Sequence, residues 1–218
     1  MTDAVSRLAE IRERIARAAK AAKRNPGDVT LVAVSKQRSV AEIEPLIAAG
    51  ITDFGENRVA EASEKWAELR GTHPDIRLHM IGQLQSNKAA EAVRLFDVIH
   101  SLDRPSLLDA LVKEGRAAGR FPEVYVQVNI GGEEQKGGIA IEELPAFLEM
   151  VRASPLPLAG LMAMPPQNRR PGPYFALLAE LGRRHGVAGL SMGMSSDYDA
   201  AVMLGSTAVR IGSALFAD

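Results

Sequence analysis

The stretch TLVAVSK, residues Thr30 to Lys36, decides the fold of this chain. Its aliphatic residues lie between a turn signal, Asn25-Pro26-Gly27-Asp28, and a polar exit, which is the pattern of a short buried strand rather than of a helix. Because side chains alternate along a strand, Val32, Val34 and Lys36 share one face. Lys36 therefore lies at the end of the strand, on the face that it shares with two valines and that we expect to point toward a core.

Two interpretations of Lys36 are open on this stretch alone. At the end of a strand a lysine commonly lays its stem on apolar neighbours and keeps its ammonium in water. Alternatively, Lys36 is partly desolvated, and its amine is a nucleophile that forms a Schiff base with an aldehyde. The rest of the chain decides between them.

The composition limits the class of protein. With 218 residues, 46% of them hydrophobic and 24% charged, the chain has the make-up of a soluble globular protein with a sizeable core. A net charge of −1 gives no overall field to attract nucleic acid or an anionic membrane. The absence of cysteine excludes disulfides and thiolate metal sites, and it fits a reducing compartment. No apolar run approaches the roughly 20 residues of a membrane span, and the N-terminus lacks the apolar core of a signal peptide, so we expect a cytoplasmic protein.

Short apolar runs alternate with helical segments along the chain. The predicted strands are Leu31–Ser35, Asp53–Gly55, Leu78–Ile81, Val98–Ser101, Val124–Asn129, Leu158–Ala163, Leu190–Met194 and Ala208–Ile211. The predicted helices between them are Val40–Ala49, Arg58–Leu69, Asn87–Arg94, Arg104–Ala118, Ile141–Arg152, Pro173–His185 and Asp197–Leu204, with a last stub from Ser213. Eight strands, each followed by a helix, predict a closed parallel TIM (β/α)8 barrel.

We expect residues 1–218 to form a single barrel domain with an extra N-terminal helix. Apolar residues at helical spacing, Val5, Leu8, Ile11 and Ile15, precede the first strand. An open doubly wound sheet is the alternative, but the G-x-G-x-x-G turn expected after its first strand is missing. Because barrels begin at about 200 residues, nothing is left over for a second domain.

The carboxyl ends of barrel strands face the mouth, where functional sites are built. The predicted strand ends are mostly polar: Lys36, Glu56-Asn57, Gly82-Gln83, His100-Ser101, Asn129, Met164, Ser195-Ser196 and Gly212-Ser213. Small residues and hydroxyls follow strands seven and eight, and these loops bind phosphate in many such barrels. Strand eight closes the barrel beside strand one, so Arg210 is a neighbour of Lys36, and a buried arginine needs an acceptor. An amine, a phosphate cradle and a fixed arginine together suit pyridoxal 5′-phosphate (PLP).

Other charged or titratable residues receive weaker interpretations. The loop Gly131–Gly138 is rich in glycine and charge, which favours a mobile solvated loop over a ligand site. The four histidines are too scattered for a local metal motif, and we expect His79 to be a hydrogen-bonded barrel residue. Lys88 and Lys136 lie near the mouth without an assigned role. We predict no metal site.

Motifs along nearly the whole chain resemble those of the PLP homeostasis protein family, the YggS/PROSC-like proteins. They are VAVSK (32–36), FGENRVAE (54–61), LHMIGQLQSNK (78–88), HSLDR (100–104), VQVNIGGEEQKGG (126–138), GLMAM (160–164), LSMGMSSD (190–197) and STAVRIGSALF (206–216).

The resemblance implies the barrel of the alanine racemase N-terminal domain, with PLP held on the lysine of the first strand as a Schiff base. That lysine matches Lys36, and the family's asparagine near the cofactor matches Asn57. The phosphate-binding positions match Ser195, Gly212 and Ser213. The arginine that faces the pyridine nitrogen matches Arg210.

The same resemblance implies a protein that buffers PLP or delivers it to apo PLP-dependent enzymes. A cation beside the pyridine nitrogen weakens the ring as an electron sink. Racemases compensate with a tyrosine from a second domain, which a chain that stops at Asp218 lacks, and Tyr125, Tyr174 and Tyr198 have no clear reason to reach the ring. We therefore expect binding and release of PLP rather than robust turnover, in a monomer. The alternatives are a single-domain PLP-dependent racemase or decarboxylase, and a Schiff-base aldolase that uses Lys36 on a sugar phosphate.

Overall fold

The structure is a computed structural model that describes residues 3–133 and 135–216, except for the side chain of Glu68. The strands are β1 (Thr30–Val34), β2 (Asp53–Glu56), β3 (Arg77–Met80), β4 (Val98–Leu102), β5 (Glu123–Gln127), β6 (Leu158–Met162), β7 (Leu190–Ser191) and β8 (Ala208–Ile211). The α-helices are α1 (Asp3–Ala21), α2 (Val40–Ala48), α3 (Val59–Thr72), α4 (Ala89–Leu95), α5 (Pro105–Ala118), α6 (Leu144–Arg152), α7 (Gly172–Arg184), α8 (Tyr198–Met203) and α9 (Ser213–Phe216). Single turns of 3-10 helix occupy Pro26–Asp28 and Ser86–Lys88.

The eight strands form one closed barrel in chain order, and every neighbouring pair is parallel. β8 closes on β1 with Val32 opposite Arg210. Parallel strands with helical crossovers bury both faces of the sheet, which explains why their sequences are nearly continuous apolar runs. The predicted TIM barrel is confirmed.

Helix α1 is the predicted extra element, and it covers the outside of the barrel. Its buried stripe includes Leu8, Ile11 and Ile15, and the helix packs against α8, α2 and α9. Arg24 donates to the carbonyl of Val202 at 2.7 Å, near the end of α8. Arg24 lies three residues beyond the end of α1, so this hydrogen bond ties the segment after α1 to the end of α8.

The barrel has an outer and an inner layer of side chains, and alternation along β1 assigns residues to each. Ala33 belongs to the large apolar core between the sheet and the helices, together with Phe54 and Trp66, whose rings lie 5.0 Å apart. Val32 and Val34 are buried on the opposite face, inside the barrel. Burying one such aromatic side chain contributes roughly 1.5–3 kcal/mol, so the outer layer supplies much of the stability.

Strand β7 is shorter than predicted, because the chain turns at Gly193. That residue has φ +94°, and a Cβ there would lie 2.5 Å from the Cβ of Ala201 in α8. Only glycine fits this turn, which carries Met194 and Ser195 to the rim of the barrel instead of continuing the strand. Strand β5 also ends before the predicted Asn129, whose side chain accepts the N–H of Glu133 at 3.1 Å.

Candidate functional site

A cavity of about 900 Å³ opens at the carboxyl ends of the strands. The six residues predicted to bind a cofactor all line it: Lys36, Asn57, Ser195, Arg210, Gly212 and Ser213. Four cations belong to the lining, and no carboxylate does among the described lining residues. The cations are Lys36, Arg38, Lys136 and Arg210. Arg38 pairs with Glu42 at 3.3 Å and Lys136 with Glu133 at 2.6 Å, so Lys36 and Arg210 are the lining cations that favour an anionic ligand in a chain whose net charge is −1.

Lys36 follows β1 and projects into this open cavity, where it is exposed to solvent. Of the two interpretations of Lys36, this exposure agrees with the one that keeps the ammonium in water, because the mouth is wide enough for water to reach the amine. Its direction is as predicted, since Val34 and Arg210 line the same cavity. The amine is placed to react with a ligand that enters the mouth.

Ser195 ties together the two loops predicted to bind phosphate. Its hydroxyl oxygen accepts the backbone N–H groups of Gly212 and Ala214, each at 3.3 Å. Ser213 lies between these two residues and is exposed at the rim of the cavity. The loops after β7 and β8 thus present serine hydroxyls side by side, which are suitable donors to a phosphate group.

Asn57 lies on the loop after β2, and its position depends on a glycine in the next loop. A Cβ on Gly82 would lie 2.3 Å from the carbonyl oxygen of Asn57. The two backbones can approach this closely only because residue 82 has no side chain. Gly82 therefore helps to set the wall of the cavity on the β2 and β3 side.

Arg210 is a buried cation at the floor of the cavity, with only 4% of its surface exposed. It donates to the hydroxyl of Ser191 and, at 3.2 Å, to the carbonyl of Ala163. Burial lowers the pKa of Arg210 to about 10, so the side chain is still charged at neutral pH. No carboxylate forms an ion pair with it within residues 3–133 and 135–216. A charge buried in this way is stabilised by an acceptor from the cavity.

A chain of hydrogen bonds runs from Arg210 through the barrel interior to the opposite end. Ser191 Oγ lies 2.8 Å from His100 Nδ1, His100 Nε2 lies 2.9 Å from His79 Nδ1, and His79 Nε2 lies 2.9 Å from Asp53 Oδ1. The expected hydrogen-bonded role of His79 agrees with these contacts. Sequence spacing could not reveal the chain, because its members come from five different strands or strand ends.

The chain has a consistent direction when both histidines are neutral. Arg210 donates to Ser191, whose hydroxyl then donates to His100; the ring of His100 donates to His79, and His79 to Asp53. Burial first, and then repulsion from His79 and Arg210, hold the pKa of His100 well below its ordinary value. With both rings in this form every contact in the chain is satisfied, which fixes Arg210 in place.

Four of the strand-end residues are not at the mouth. His100 and Ser101 are buried inside the sheet, and Asn129 holds the loop that follows it. Glu56 is fully buried on the outer side of the barrel, where its Oε1 accepts the indole N–H of Trp66 at 3.0 Å. Glu56 does not face the mouth because alternate side chains near a strand end point to opposite sides of the sheet. His100 faces the barrel interior, but it lies below the mouth because β4 continues to Leu102.

The loop after β5 was predicted to be a mobile solvated loop, and part of its described length also lines the cavity. Gln135, Lys136 and Gly137 line the cavity, and Gln127 holds the loop by donating to the carbonyl of Gly137 at 2.9 Å. Gln83 and Met164, predicted as strand ends at the mouth, also line the cavity, whereas Arg38 and Met194 were not singled out from the sequence. The hydrogen bond from Gln127 to Gly137 joins residues ten positions apart, so the local sequence of the loop gives no sign of it.

The described residues contain neither a metal-binding cluster nor a membrane-spanning helix. In the part of the chain that the structure describes, no three histidine or acidic side chains are grouped so that they could hold a metal ion. The helices within those same residues are all too short or too polar to cross a bilayer.

Comparisons with known proteins agree with the motifs. The family model for the N-terminal domain of alanine racemase matches residues 6–218. A protein of Pseudomonas aeruginosa named pyridoxal phosphate homeostasis protein is 44% identical over 223 residues, which cover 99% of this chain and 96% of that protein.

Solved structures show the same likeness. PipY of Synechococcus elongatus PCC7942 with PLP bound is 36% identical, with a TM-score of 0.85 over 98% of this chain and 100% of that one. The structure of PipY without PLP is 37% identical, with a TM-score of 0.86 over 97% of this chain and 99% of that one. Given these identities over nearly the full length of both partners, this chain belongs to the pyridoxal phosphate homeostasis protein family.

Proposed function

We propose that this protein binds PLP through a Schiff base on Lys36 and acts in intracellular PLP homeostasis by buffering the cofactor and delivering it to apo PLP-dependent enzymes. The observation that carries the proposal is the cavity at the barrel mouth. It combines an accessible lysine amine, a buried arginine and clustered serine hydroxyls, and no carboxylate is among its described lining residues. The PLP bound to the related PipY structure supports the same ligand.

The chemistry of the lining fits each part of PLP. The amine of Lys36 is the nucleophile for the aldehyde, and a Schiff base is the chemistry that PLP supplies when bound. Ser195 and Ser213 offer hydroxyl donors for the phosphate, Gly212 brings the backbone of the loop after β8 to the same part of the lining, and Asn57 adds a side-chain amide on the β2 side of the cavity. Arg210 offers its remaining N–H groups to the pyridine nitrogen.

The position of Arg210 favours a carrier over an enzyme. Its guanidinium is charged, buried and fixed by Ser191 and Ala163, so it opposes a second positive charge on a nitrogen placed next to it. A ring whose nitrogen stays neutral stabilises carbanions poorly. Turnover through such a site needs a strong acid or base elsewhere in the mouth.

The tyrosines do not provide that group. The lining formed by the described residues includes none of the three. Tyr125 stacks on His100 inside the barrel with ring centroids 4.5 Å apart, and burial raises its pKa. Tyr198 is buried beside Arg14 of α1, and Tyr174 packs on the outer core. We therefore propose that the protein holds and releases PLP without robust turnover, and that it does so as a cytoplasmic monomer of one domain.

Reduction of the PLP-loaded protein with borohydride, followed by peptide mapping, tests the site. We expect one pyridoxyl group on Lys36 and loss of the visible absorbance in Lys36→Ala. Lys88→Ala is the matched control, because Lys88 is exposed, pairs with Glu91 at 2.7 Å and lies outside the cavity lining. A colourless protein after soaking with PLP, or a label on another residue, would refute the assignment.

A second measurement separates the carrier from the enzyme. The loaded protein is incubated with a panel of L- and D-amino acids, and both the spectrum and the products are followed. A carrier transfers PLP to an apoenzyme and forms no product at a steady rate. Steady racemisation or decarboxylation that is lost in Lys36→Ala would establish the single-domain enzyme instead.

A further inference from the structure

Lys36 occupies the centre of a tight turn with an unusual backbone conformation. The carbonyl of Ser35 accepts the N–H of Arg38 at 3.1 Å, which closes a four-residue turn around Lys36 and Gln37. Gln37 has φ +58°. The third position of such a turn normally holds glycine or asparagine, because other side chains are strained in the left-handed region. Something outside the turn must therefore stabilise this conformation.

Two side chains of α3 hold the peptide groups on both sides of Lys36. The ammonium of Lys65 donates to the carbonyl of Ser35 at 2.6 Å, and the carboxylate of Glu61 accepts the N–H of Gln37. Lys65 Nζ and Glu61 Oε1 are themselves 3.1 Å apart. One ion pair, which we call the α3 clamp, thus fixes the residues immediately before and after Lys36.

The α3 clamp is anchored in the outer core by Glu56. The fully buried Oε1 of Glu56 accepts from Lys65 at 3.0 Å, from the hydroxyl of Ser35 at 2.7 Å and from the indole of Trp66 at 3.0 Å. The Lys65 side chain is only 9% exposed. A buried, fully engaged ammonium has little freedom to move, so the clamp presents fixed partners to the turn.

Glu61 is the member of the α3 clamp that acts on the strained residue. Burial alone would raise the pKa of Glu61, but the N–H of Gln37 and the ammonium of Lys65 bring it below its ordinary value. A hydrogen bond to a charged acceptor is about twice as strong as one between neutral groups. Glu61 therefore compensates the conformation of Gln37 where no glycine is present.

We propose that Glu61 and Lys65 are positioning residues that keep the Ser35–Arg38 turn in the conformation that directs Lys36 into the cavity, and thereby set the affinity for PLP. This inference rests on the proposed function, in which Lys36 holds the cofactor. Neither residue lines the cavity, so the effect passes through the backbone of the turn. The apparent affinity falls in proportion to the fraction of molecules whose turn is in the binding conformation.

The test compares PLP binding by four variants of the full chain. Glu61→Ala removes the acceptor for Gln37, and we expect about tenfold weaker PLP binding, which corresponds to about 1.4 kcal/mol. Glu61→Gln keeps an acceptor oxygen without the charge, so a loss of about threefold is expected. Lys65→Met removes the other half of the clamp, and it should weaken binding to a similar extent as Glu61→Ala. Glu64→Ala, exposed on the same helix, is the matched control and should bind like the unaltered protein.

A rescue experiment distinguishes positioning from a general loss of stability. Glycine adopts a positive φ without strain, so Gln37→Gly should restore the PLP affinity of Glu61→Ala to within about threefold of the unaltered protein. A defect that arose only from weaker packing of α3 would not respond to a change in the turn. The urea unfolding of each variant without PLP is measured in parallel.

Two results would overturn the inference: unchanged PLP affinity in Glu61→Ala, or a loss of affinity that Gln37→Gly fails to reverse. In either case the proposed function survives if borohydride still labels Lys36 in the unaltered protein. Absence of that label in the unaltered protein would instead refute the proposed function itself.

Discussion

Replacing His100 by glutamine should remove a pH dependence of folding that the barrel interior creates. His100 is completely buried and bonded on both ring nitrogens, to Ser191 and to His79. Burial first, and then His79 and Arg210, hold its pKa well below the ordinary value in the folded state. In the unfolded chain its pKa returns to about 6.5. Acid therefore adds a proton to the unfolded chain before it adds one to the folded barrel.

The sign and size of the effect follow from that difference. Because the unfolded state binds more protons, the free energy of unfolding falls as the pH drops below about 6.5. Above that pH, His100 makes its full contribution to the free energy of unfolding. Between pH 7.0 and pH 5.5, one histidine that stays neutral in the fold and titrates near 6.5 when unfolded removes about 1.3 kcal/mol. The loss continues down to the pKa of the folded state.

Urea unfolding of the PLP-free protein at pH 7.0 and pH 5.5 measures this loss. We expect His100→Gln to be less stable than the unaltered protein at pH 7.0 by about 1–3 kcal/mol, because buried partners lose a hydrogen bond. Its further loss on acidification should be smaller by about 1.3 kcal/mol. His73→Gln, which alters a histidine outside the interior chain, is the control and should keep the pH dependence. An equal loss in His100→Gln and the unaltered protein would show that His100 is protonated in the fold, and the reasoning would fail.

Three other substitutions test packing and the site. Gly160→Ala places a Cβ 2.3 Å from a backbone carbonyl oxygen, so urea unfolding should show that the free energy of unfolding falls by about 1–3 kcal/mol. Gly71→Ala in α3 is the control, because a Cβ there meets nothing within 4 Å, and its free energy of unfolding should not fall. Trp66→Phe keeps the apolar contact but removes the 3.0 Å donor to buried Glu56, and it should cost about 1.5–3 kcal/mol in the same assay; a change below about 0.5 kcal/mol would contradict this. Ser195→Ala removes a hydroxyl from the proposed phosphate cradle, and an absorbance titration should show PLP binding about tenfold weaker, with unchanged affinity as the contrary result.

The barrel could be predicted from sequence because its signal is local and repeated. Each strand is an apolar run between turn residues, and each is followed by a helical stretch, so the count of eight follows from reading the chain once. The ends were less certain. The structure ends β7 at Ser191 because Gly193 turns with φ +94° against α8. A contact between residues 193 and 201 is invisible in the local pattern of either segment.

The site residues that could be predicted from sequence are those at a strand end or within a motif of a known family. Lys36, Arg210 and the serine loops were found in this way, and all of them line one cavity. The groups that hold them were not found. Glu61 and Lys65 look like ordinary exposed charges of a helix, and His79 and His100 look like isolated histidines. Their partners are distant in sequence, so only the closed barrel shows what each one contacts.

The same closure explains how a chain without a strong net charge can bind an anion. The net charge of the chain is −1, and this value alone gives no reason to expect an anionic partner. The lysines and arginines of the surface are mostly paired, as Arg14 is with Asp199 and Arg17 with Glu13. At the mouth Arg38 and Lys136 are paired in the same way, but the ends of β1 and β8 also place Lys36 and Arg210 in one lining, whose described residues include no carboxylate. The field that selects the ligand is therefore made by topology, because it depends on which strands are neighbours and not on how many charges the chain carries.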